Sequence, residues 1–188
     1  MKDLCARNRA GICCYIKNTI LPRGDYVGSW EKRLQDSMQE VLLPQEQIEN
    51  RISELAQQIN KDYDFLEDDL VVIGVLRGSV VFMSQLIKEL HLPVVIDFLA
   101  AASYGGGTAS SGNVRVTKDI FVDIKDKHVI VVEDIVDTGL TLTNVLAMLQ
   151  LRGPASLKLC SLLSKPSRRK VEIAVDYCGF DVPDVFVV

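Results

Sequence analysis

Runs of consecutive apolar residues alternate along the chain with segments in which apolar residues recur every three or four positions. Runs such as LVVIGVL and HVIVV are typical of strands buried on both faces of a parallel sheet. Segments such as SVVFMSQLIKEL have the spacing of amphipathic helices. This alternation predicts an α/β fold in which helices flank a central, mostly parallel sheet. The predicted strands are 70–76, 94–103, 128–133, 156–164 and a last strand that begins at 184, and the predicted helices between them are 79–90 and 140–153.

An earlier amphipathic helix is predicted where the sequence PQEQIENRISELAQQINKDY begins. Pro44 suits the first turn of a helix, and the apolar residues that follow share one face. We therefore predict a folded domain over 38–188 and an N-terminal extension of unknown role over 1–37. The residues on the predicted buried face are Ile48, Ile52, Leu55 and Ile59.

Composition and charge restrict the possible partners. The chain has 188 residues, 48% hydrophobic and 24% charged, which is typical of a globular protein with one domain. Its apolar runs are shorter than the roughly 20 residues of a membrane-spanning helix, so no membrane partner is expected. Residues 1–37 carry seven Lys/Arg and four Asp/Glu, a net charge of +3, so the total of −4 leaves −7 on 38–188. That charge argues against nucleic acid as a partner. A targeting segment is the alternative role for the extension.

Cysteine usage indicates a reducing compartment. The five cysteines are odd in number and form no CxxC pair, and with only two histidines the chain lacks the spacing of a zinc site. We therefore expect a cytoplasmic protein, and we interpret Cys160 and Cys178 as core or structural thiols.

The strand at 128–133 runs into a group of carboxylates, in the sequence VIVVEDIVDTGLTL. A turn that leads into a helix N-terminus presents backbone N–H groups to an anion, so the TGLT segment suits a phosphate. Glu133, Asp134 and Asp137 would repel a bare phosphate, but carboxylates bind sugar hydroxyls or a divalent cation. The segment therefore predicts a phosphorylated sugar as ligand, together with Mg²⁺.

Two further segments follow predicted strands. The sequence RGS (77–79) comes directly after the first strand, and its alternative interpretation is an ordinary turn in which Ser79 caps the next helix. Between 103 and 119 the hydrophobic pattern lapses into SYGGGTASSGNVRVTKD, which is typical of an active-site lid or a flexible hairpin. Parallel sheets bind ligands at the carboxyl ends of their strands, so we expect the site at that edge.

Together these segments resemble the motifs of type I phosphoribosyltransferases. VVEDIVDTGLTL is similar to the family's phosphoribosyl-pyrophosphate motif, and its EDIVDTG form resembles the hypoxanthine-guanine branch. VIGVLRGSVVFM resembles the pyrophosphate loop, SYGGGTASSGNVRV the mobile catalytic loop, and LLSKPSRRK with FDVPDVFVV the purine site. The resemblance covers about 38–188 and implies the type I phosphoribosyltransferase fold, with a mobile hairpin loop and a small hood.

The resemblance implies roles for the residues around the TGLT segment (138–141), here called the phosphate turn. Glu133 and Asp134 would hold the ribose hydroxyls and help to place Mg²⁺. Asp137 would act as general base near purine N7, and its alternative interpretation is a helix N-cap. The residues that would bind the 5′-phosphate are Thr138, Gly139, Leu140 and Thr141.

By the same resemblance, Arg77 and Gly78 would bind pyrophosphate, Gly78 through its backbone N–H. Many relatives have Lys at the position of Arg77. Ser103 and Tyr104 would close over the reaction centre and keep water from a developing oxocarbenium ion.

For the purine, the resemblance implies that Lys165 donates to O6, Phe186 stacks on the base and the Val187 backbone binds its edge. The alternatives are a surface lysine and an apolar terminal strand. The neighbouring Arg168, Arg169 and Lys170 are interpreted as a solvated basic loop.

The implied activity is that of a hypoxanthine-guanine phosphoribosyltransferase of purine salvage, acting on a 6-oxopurine and phosphoribosyl pyrophosphate, as a homodimer or homotetramer. Two alternatives stay open: a phosphoribosyl-pyrophosphate-sensing regulator that binds RNA on the same fold, and a truncated, inactive paralogue that still binds ligand. The second arises because the chain ends at Val188, whereas relatives continue with a Gly-Tyr-rich strand, an Asp and an Arg.

Overall fold

The computed structural model describes residues 41–103, 114–185 and 187, except for the side chains of residues 102, 103 and 114. Within these ranges, three α-helices and six strands follow one another in the alternation that the hydrophobic pattern predicts. The elements are α1 (Gln45–Asp62), β1 (Leu70–Val75), α2 (Ser79–Glu89), β2 (Val94–Ser103), β3 (Val114–Lys118), β4 (His128–Val136), α3 (Leu140–Gln150), β5 (Ser156–Ser164) and β6 (Tyr177–Asp181), with a short 3₁₀ turn at Pro166–Arg168.

The six strands form one sheet in the order β3-β2-β1-β4-β5-β6. All neighbours are parallel except β2 and β3, which form an antiparallel pair at one edge. In the centre, Val72 of β1 lies between Ile96 of β2 and Ile130 of β4. The prediction of a mostly parallel sheet flanked by helices is confirmed. This order places the carboxyl ends of β1, β4 and β5 side by side at one edge.

The core has two layers, one on each face of the sheet. On one face, α1 and α2 pack against the sheet, and the predicted buried stripe of α1 is confirmed, with Leu55 and Ile59 fully buried. On the other face, α3 packs through Val145 and Leu149. All six residues of β1 are buried, as its continuous apolar run predicts.

The antiparallel arm of β2 and β3 is held at its base by a mostly buried carboxylate. Asp97 of β2 accepts hydrogen bonds from the backbone N–H groups of Phe121 and Val122, the latter at 3.0 Å, and its Oδ1 lies 3.3 Å from Lys118 Nζ. Burial acts to raise the pKa of Asp97, but these donors together with the Phe98 N–H more than offset it and lower the pKa. The hydrophobic pattern gave no sign of β3 or of this anchor.

The prediction of a last strand beginning at 184 is wrong. Asp184 and Val185 lie in a bend, and among the described residues the last strand is β6, which ends at Asp181. The sequence YCGFD has no apolar run because β6 is an edge strand and only part of it is buried. Gly179 is needed there, since a Cβ at this position would overlap the Leu162 carbonyl oxygen. The helix predicted over 140–153 ends three residues early, and Gly153 follows it at φ +70°.

Among the described residues, no helix has both the length and the apolar character that are needed to cross a membrane.

Candidate active site

The turn after β1 lies against the end of β4. A Cβ atom added at Gly78 would overlap the carboxyl group of Asp134, with Oδ1 only 2.7 Å away. Two segments more than fifty residues apart are therefore in contact at the carboxyl edge of the sheet. The alternative that Ser79 caps the helix is wrong: Gly78 holds the N-cap position of α2, and the Ser79 hydroxyl donates to Val75 O at 2.6 Å. Arg77 is exposed, and the Leu76–Arg77 peptide bond is cis.

Glu133 and Asp134 form a carboxylate pair at the end of β4. Burial raises the pKa of Glu133 well above its usual range, and the neighbouring carboxyl group of Asp134 raises it further. Asp134 also accepts the N–H of Ile135 at 3.0 Å through Oδ1. Because two neighbouring negative charges repel each other, this pair is stabilised either by a shared proton or by a bound cation.

The donor set of this pair fits Mg²⁺. Within the described ranges, no group of three or more His, Cys, Asp or Glu side chains is arranged to hold a metal ion. Proteins usually bind Mg²⁺ through one or two carboxylates, with water and substrate phosphates as the other ligands. The pair therefore matches an ion that arrives with a phosphorylated substrate rather than one held in an all-protein cage.

The phosphate turn leads directly into α3. Gly139 is at the N-cap position with φ +80°, a left-handed conformation that favours glycine, and a Cβ there would lie 3.1 Å from Val171 Cγ2. Among the described residues, no side chain caps this helix end. Its first-turn N–H groups therefore remain able to bind an anion. Thr138, Leu140 and Thr141 are partly exposed around it.

Asp137 lies between the end of β4 and the start of α3, with 41% of its side chain exposed. Its Oδ1 accepts a hydrogen bond from Arg168 Nε at 2.7 Å. The alternative that Asp137 caps α3 is wrong, because Gly139 is the N-cap residue. The carboxylate instead belongs to an ion pair that faces the loop after β5.

Lys165 follows β5 and is 7% exposed, so the alternative of a surface lysine is wrong. Its backbone N–H donates to Val136 O at 2.9 Å, which fixes it beside the end of β4. Its Nζ donates to Val185 O at 2.6 Å. The backbone of Lys165 is thus held by the end of β4, while its ammonium group contacts the segment that follows β6.

The interpretation of 168–170 as a solvated basic loop is wrong for Arg169, which is partly buried, whereas Arg168 and Lys170 are exposed. Arg169 Nη1 donates to the carbonyl oxygens of Val136 and Asp137, and its Nη2 donates to Ser164 Oγ at 3.1 Å. Burial lowers the pKa of the Arg169 guanidinium. The Lys170 N–H donates to Thr138 O at 3.0 Å. This loop therefore supports the turn that carries the candidate base.

Arg168 is the second residue of this loop that the sequence analysis missed. Besides its contact with Asp137, its Nη1 lies 3.2 Å from Asp184 Oδ1. The charge of Asp137 is the largest single cause that raises the pKa of Arg168, and the contact with Asp184 raises it further. A run of basic residues after Pro-Ser gives no sign of such pairing, since the partners are distant in the sequence.

Several predicted site residues are described only in part. Tyr104, Phe186, residues 105–113 of the predicted catalytic loop and the extension 1–37 lie outside the described residues. For Ser103 only the main chain is described, at the end of β2 opposite Val114. Val187 is partly buried and is not in a strand. The thiol interpretation agrees with a buried, free Cys160, whose pKa is raised by burial, and a half-buried, free Cys178.

Comparison with known proteins extends over most of the chain. The family model described as "Phosphoribosyl transferase domain" matches residues 38–188. A hypoxanthine phosphoribosyltransferase of Haemophilus influenzae is 51% identical over 150 residues, which are 79% of this chain and 84% of that protein. A hypoxanthine-guanine phosphoribosyltransferase of Dictyostelium discoideum is 44% identical over 152 residues, with the same shares.

Solved structures agree with the sequence comparison. A crystal structure of a hypoxanthine-guanine phosphoribosyltransferase from Bacillus anthracis, with HEPES in its active site, is 46% identical. It matches this fold with a TM-score of 0.74 over 79% of this chain and 86% of that one. The chain belongs to the type I phosphoribosyltransferase family of pentosyltransferases, and within it to the hypoxanthine-guanine branch.

Proposed function

We propose that the protein transfers the phosphoribosyl group of phosphoribosyl pyrophosphate to hypoxanthine or guanine, forming IMP or GMP and pyrophosphate in purine salvage. The observation that carries this proposal is the contact between Gly78 and the Asp134 carboxyl group. It joins a turn suited to pyrophosphate with a carboxylate pair suited to ribose. The identity to relatives of this activity supports the same substrates.

Phosphoribosyl pyrophosphate would lie along the carboxyl ends of β1 and β4. The first-turn N–H groups of α3 and the hydroxyls of Thr138 and Thr141 would bind its 5′-phosphate. Glu133 and Asp134 would accept hydrogen bonds from the ribose hydroxyls. Mg²⁺ bound by this pair and by substrate oxygens would neutralise charge on the leaving group.

Pyrophosphate would contact the turn after β1. The Gly78 N–H and the Arg77 guanidinium are donors suited to phosphate oxygens. Because Gly78 lies against Asp134, a pyrophosphate bound by this turn would lie close to the carboxylate pair. The ribose carbon C1′ would then be held between the turn after β1, here called the pyrophosphate turn, and the purine.

In the transfer step, the bond between C1′ and the pyrophosphate oxygen breaks and its electron pair leaves with pyrophosphate. A lone pair of purine N9 forms the new bond to C1′, and Asp137 takes the proton from N7. A general base of this kind typically contributes about 10²–10⁴-fold to the rate. Ser103 and Tyr104 would keep water from the oxocarbenium-like centre.

Lys165 would select the base. Its buried ammonium group can donate to the O6 atom of a 6-oxopurine, whereas adenine presents an amino group that leaves the donor unpaired. Phe186 would stack on the ring, and the Val187 backbone would bind its edge.

The test is nucleotide formation from phosphoribosyl pyrophosphate and Mg²⁺ with hypoxanthine, guanine, xanthine and adenine offered separately. We expect IMP and GMP to form, and kcat/KM for adenine to be lower than for hypoxanthine by at least about 10³-fold, as expected when a buried donor loses its acceptor. Equal use of adenine would contradict the role of Lys165, and the absence of nucleotide with every base would contradict the activity.

No observation on the described residues favours the RNA-binding alternative, since the basic side chains of Arg168 and Arg169 are paired within the protein.

We propose a homodimer or homotetramer, supported by the exposed apolar side chains of Val80 and Ile96 on α2 and β2. Light scattering on purified protein tests this. A cytoplasmic location is supported by the free thiols of Cys160 and Cys178.

A further inference from the structure

Arg168 connects two carboxylates that are far apart in the sequence. Its Nε lies 2.7 Å from Asp137 Oδ1, and its Nη1 lies 3.2 Å from Asp184 Oδ1 and 3.5 Å from Oδ2. Because the guanidinium is planar and rigid, two of its nitrogens can hold two partners at a fixed separation, which an ammonium group cannot do. The side chain therefore links the phosphate turn to the segment after β6.

The main chains on both sides of this contact are held independently. The Arg168 N–H donates to Lys165 O at 3.1 Å and closes the 3₁₀ turn that begins at Pro166. The Asp137 carbonyl accepts Arg169 Nη1 at 2.6 Å. Because these bonds fix the backbone, the Arg168 side chain is not needed to hold the loop, and its two contacts act on the carboxylates alone.

The Asp184 contact extends the link towards the purine side of the site. The neighbouring Val185 carbonyl accepts Lys165 Nζ at 2.6 Å, and the Val182 N–H donates to Ser164 O at 2.8 Å. The segment 182–185 is thus connected both to the candidate base and to the candidate purine-binding lysine.

We propose that Arg168 is a positioning residue for Asp137. It engages Oδ1 and fixes the plane of the carboxyl group, so that Oδ2, which receives no hydrogen bond from the described residues, is the oxygen that takes the purine proton. The contact with Asp184 fixes the guanidinium in turn. This inference rests on the proposed function of Asp137 as the general base.

The ion pairs contribute little to folding. The side chains of Arg168, Asp137 and Asp184 are 43%, 41% and 55% exposed, and exposed ion pairs add little to stability. Substitutions at these positions should therefore leave the melting temperature nearly unchanged, and their effects should be seen in the kinetics of the transfer.

The experiment compares steady-state kinetics of R168Q, R168K, D137N and the double variant R168Q/D137N with hypoxanthine. We expect R168Q to lower kcat about tenfold, a fraction of what a general base contributes, with KM for phosphoribosyl pyrophosphate unchanged within about twofold. R168K should recover part of this loss, because it restores the charge but not the two-sided geometry. The matched control K88Q removes a charge of the same sign from the end of α2 and should behave as wild type.

The double variant decides whether Arg168 acts through Asp137. If it does, R168Q/D137N has the same kcat as D137N, since the residue that Arg168 positions is already inactive. A further tenfold loss in the double variant, or a wild-type kcat in R168Q, would overturn the inference. The proposed function of Asp137 fails separately, and the inference with it, if D137N alone keeps the wild-type kcat.

A second double-mutant cycle, with R168Q and D184N, tests the link between Arg168 and Asp184. D184N should lower kcat less than R168Q does, and it should have no effect in the R168Q background. Additive losses would show that Asp184 does not act through the guanidinium and would overturn this part of the inference.

Discussion

At the scale of single residues, Gly78 is where the site depends most on the absence of a side chain. Its backbone adopts an ordinary helical conformation, with φ −59°, so the requirement for glycine comes from space and not from strain. The space is occupied by the Asp134 carboxyl group. Sequence reasoning predicted Gly78 as a pyrophosphate ligand, but it could not show that this residue touches the carboxylate pair.

We predict that Gly78→Ala displaces either the pyrophosphate turn or Asp134. Overpacking of this kind typically costs about 1–3 kcal/mol of folding free energy, and the altered turn should raise KM for phosphoribosyl pyrophosphate at least about tenfold. Thermal unfolding and steady-state kinetics measure the two effects separately. Ser84→Ala on the exposed side of α2 is the control, since among the described residues its hydroxyl bonds only to Val81 O of its own helix. A folded Gly78→Ala variant with the wild-type KM would contradict the prediction.

Lys165 is the residue that we propose distinguishes 6-oxopurines from adenine. We predict that Lys165→Met, which keeps the apolar length of the side chain, lowers kcat/KM for hypoxanthine and guanine about 10–100-fold. This is the loss expected for a hydrogen bond from a charged donor. Discrimination against adenine should fall with it, because the unpaired donor is gone. The measurement is kcat/KM for the three bases, and an unchanged value for hypoxanthine would remove Lys165 from the purine site.

At the scale of elements, the carboxylate of Glu133 near the end of β4 is proposed to bind substrate, but its ionisation lowers the stability of the ligand-free protein. The pKa of Glu133 is raised in the folded protein by burial and by Asp134. For a group with a raised pKa, the contribution to stability is fully present below the unfolded pKa, about 4.3 for Glu, and is lost as the pH rises through the folded pKa. The ligand-free protein therefore becomes less stable with rising pH on account of this residue.

We predict that Glu133→Gln is more stable than wild type at neutral pH, because its side chain cannot ionise. The difference in melting temperature should grow as the pH is raised from about 5, where the raised pKa begins to matter. The same variant should bind phosphoribosyl pyrophosphate more weakly. Melting curves of both proteins between about pH 5 and 9 test this. A difference in melting temperature that shrinks with rising pH would show that ionisation of Glu133 does not destabilise the folded protein.

The elements that could be predicted from sequence are those whose two faces are both buried. β1 and the segment Val129–Val132 of β4 have no polar residues because each lies between two strands and two helical layers. The edge strands β3 and β6 have one neighbour and mixed composition, so periodicity did not detect them. The roles of Arg168 and Arg169 depend on long-range contacts with Asp137, Asp184 and Val136, which no local pattern encodes.

At the scale of the whole molecule, the described fold and the family match agree on one phosphoribosyltransferase domain. The match begins at residue 38, and the first described helix begins at Gln45. The core is built from α1 to β6, and the described residues of both layers lie between Ile48 and Val182. Residues 1–37 carry a net charge of +3 against −7 on the rest.

We predict that deletion of residues 1–37 leaves folding and activity intact. The shortened protein should give the same circular dichroism spectrum and a kcat within about twofold of the full chain, because the family match begins at residue 38 and leaves this segment out. Loss of soluble protein, or a larger fall in kcat, would show that the extension belongs to the working enzyme.

The measurement that tests the central claim most directly is chromatographic detection of IMP and pyrophosphate formed by wild type and by Asp137→Asn from hypoxanthine, phosphoribosyl pyrophosphate and Mg²⁺. The account predicts one pyrophosphate per IMP from wild type. It also predicts a rate at least about 10²-fold lower from Asp137→Asn, which should still bind phosphoribosyl pyrophosphate. No IMP from wild type would contradict the transferase activity, and equal rates from the two proteins would contradict the site.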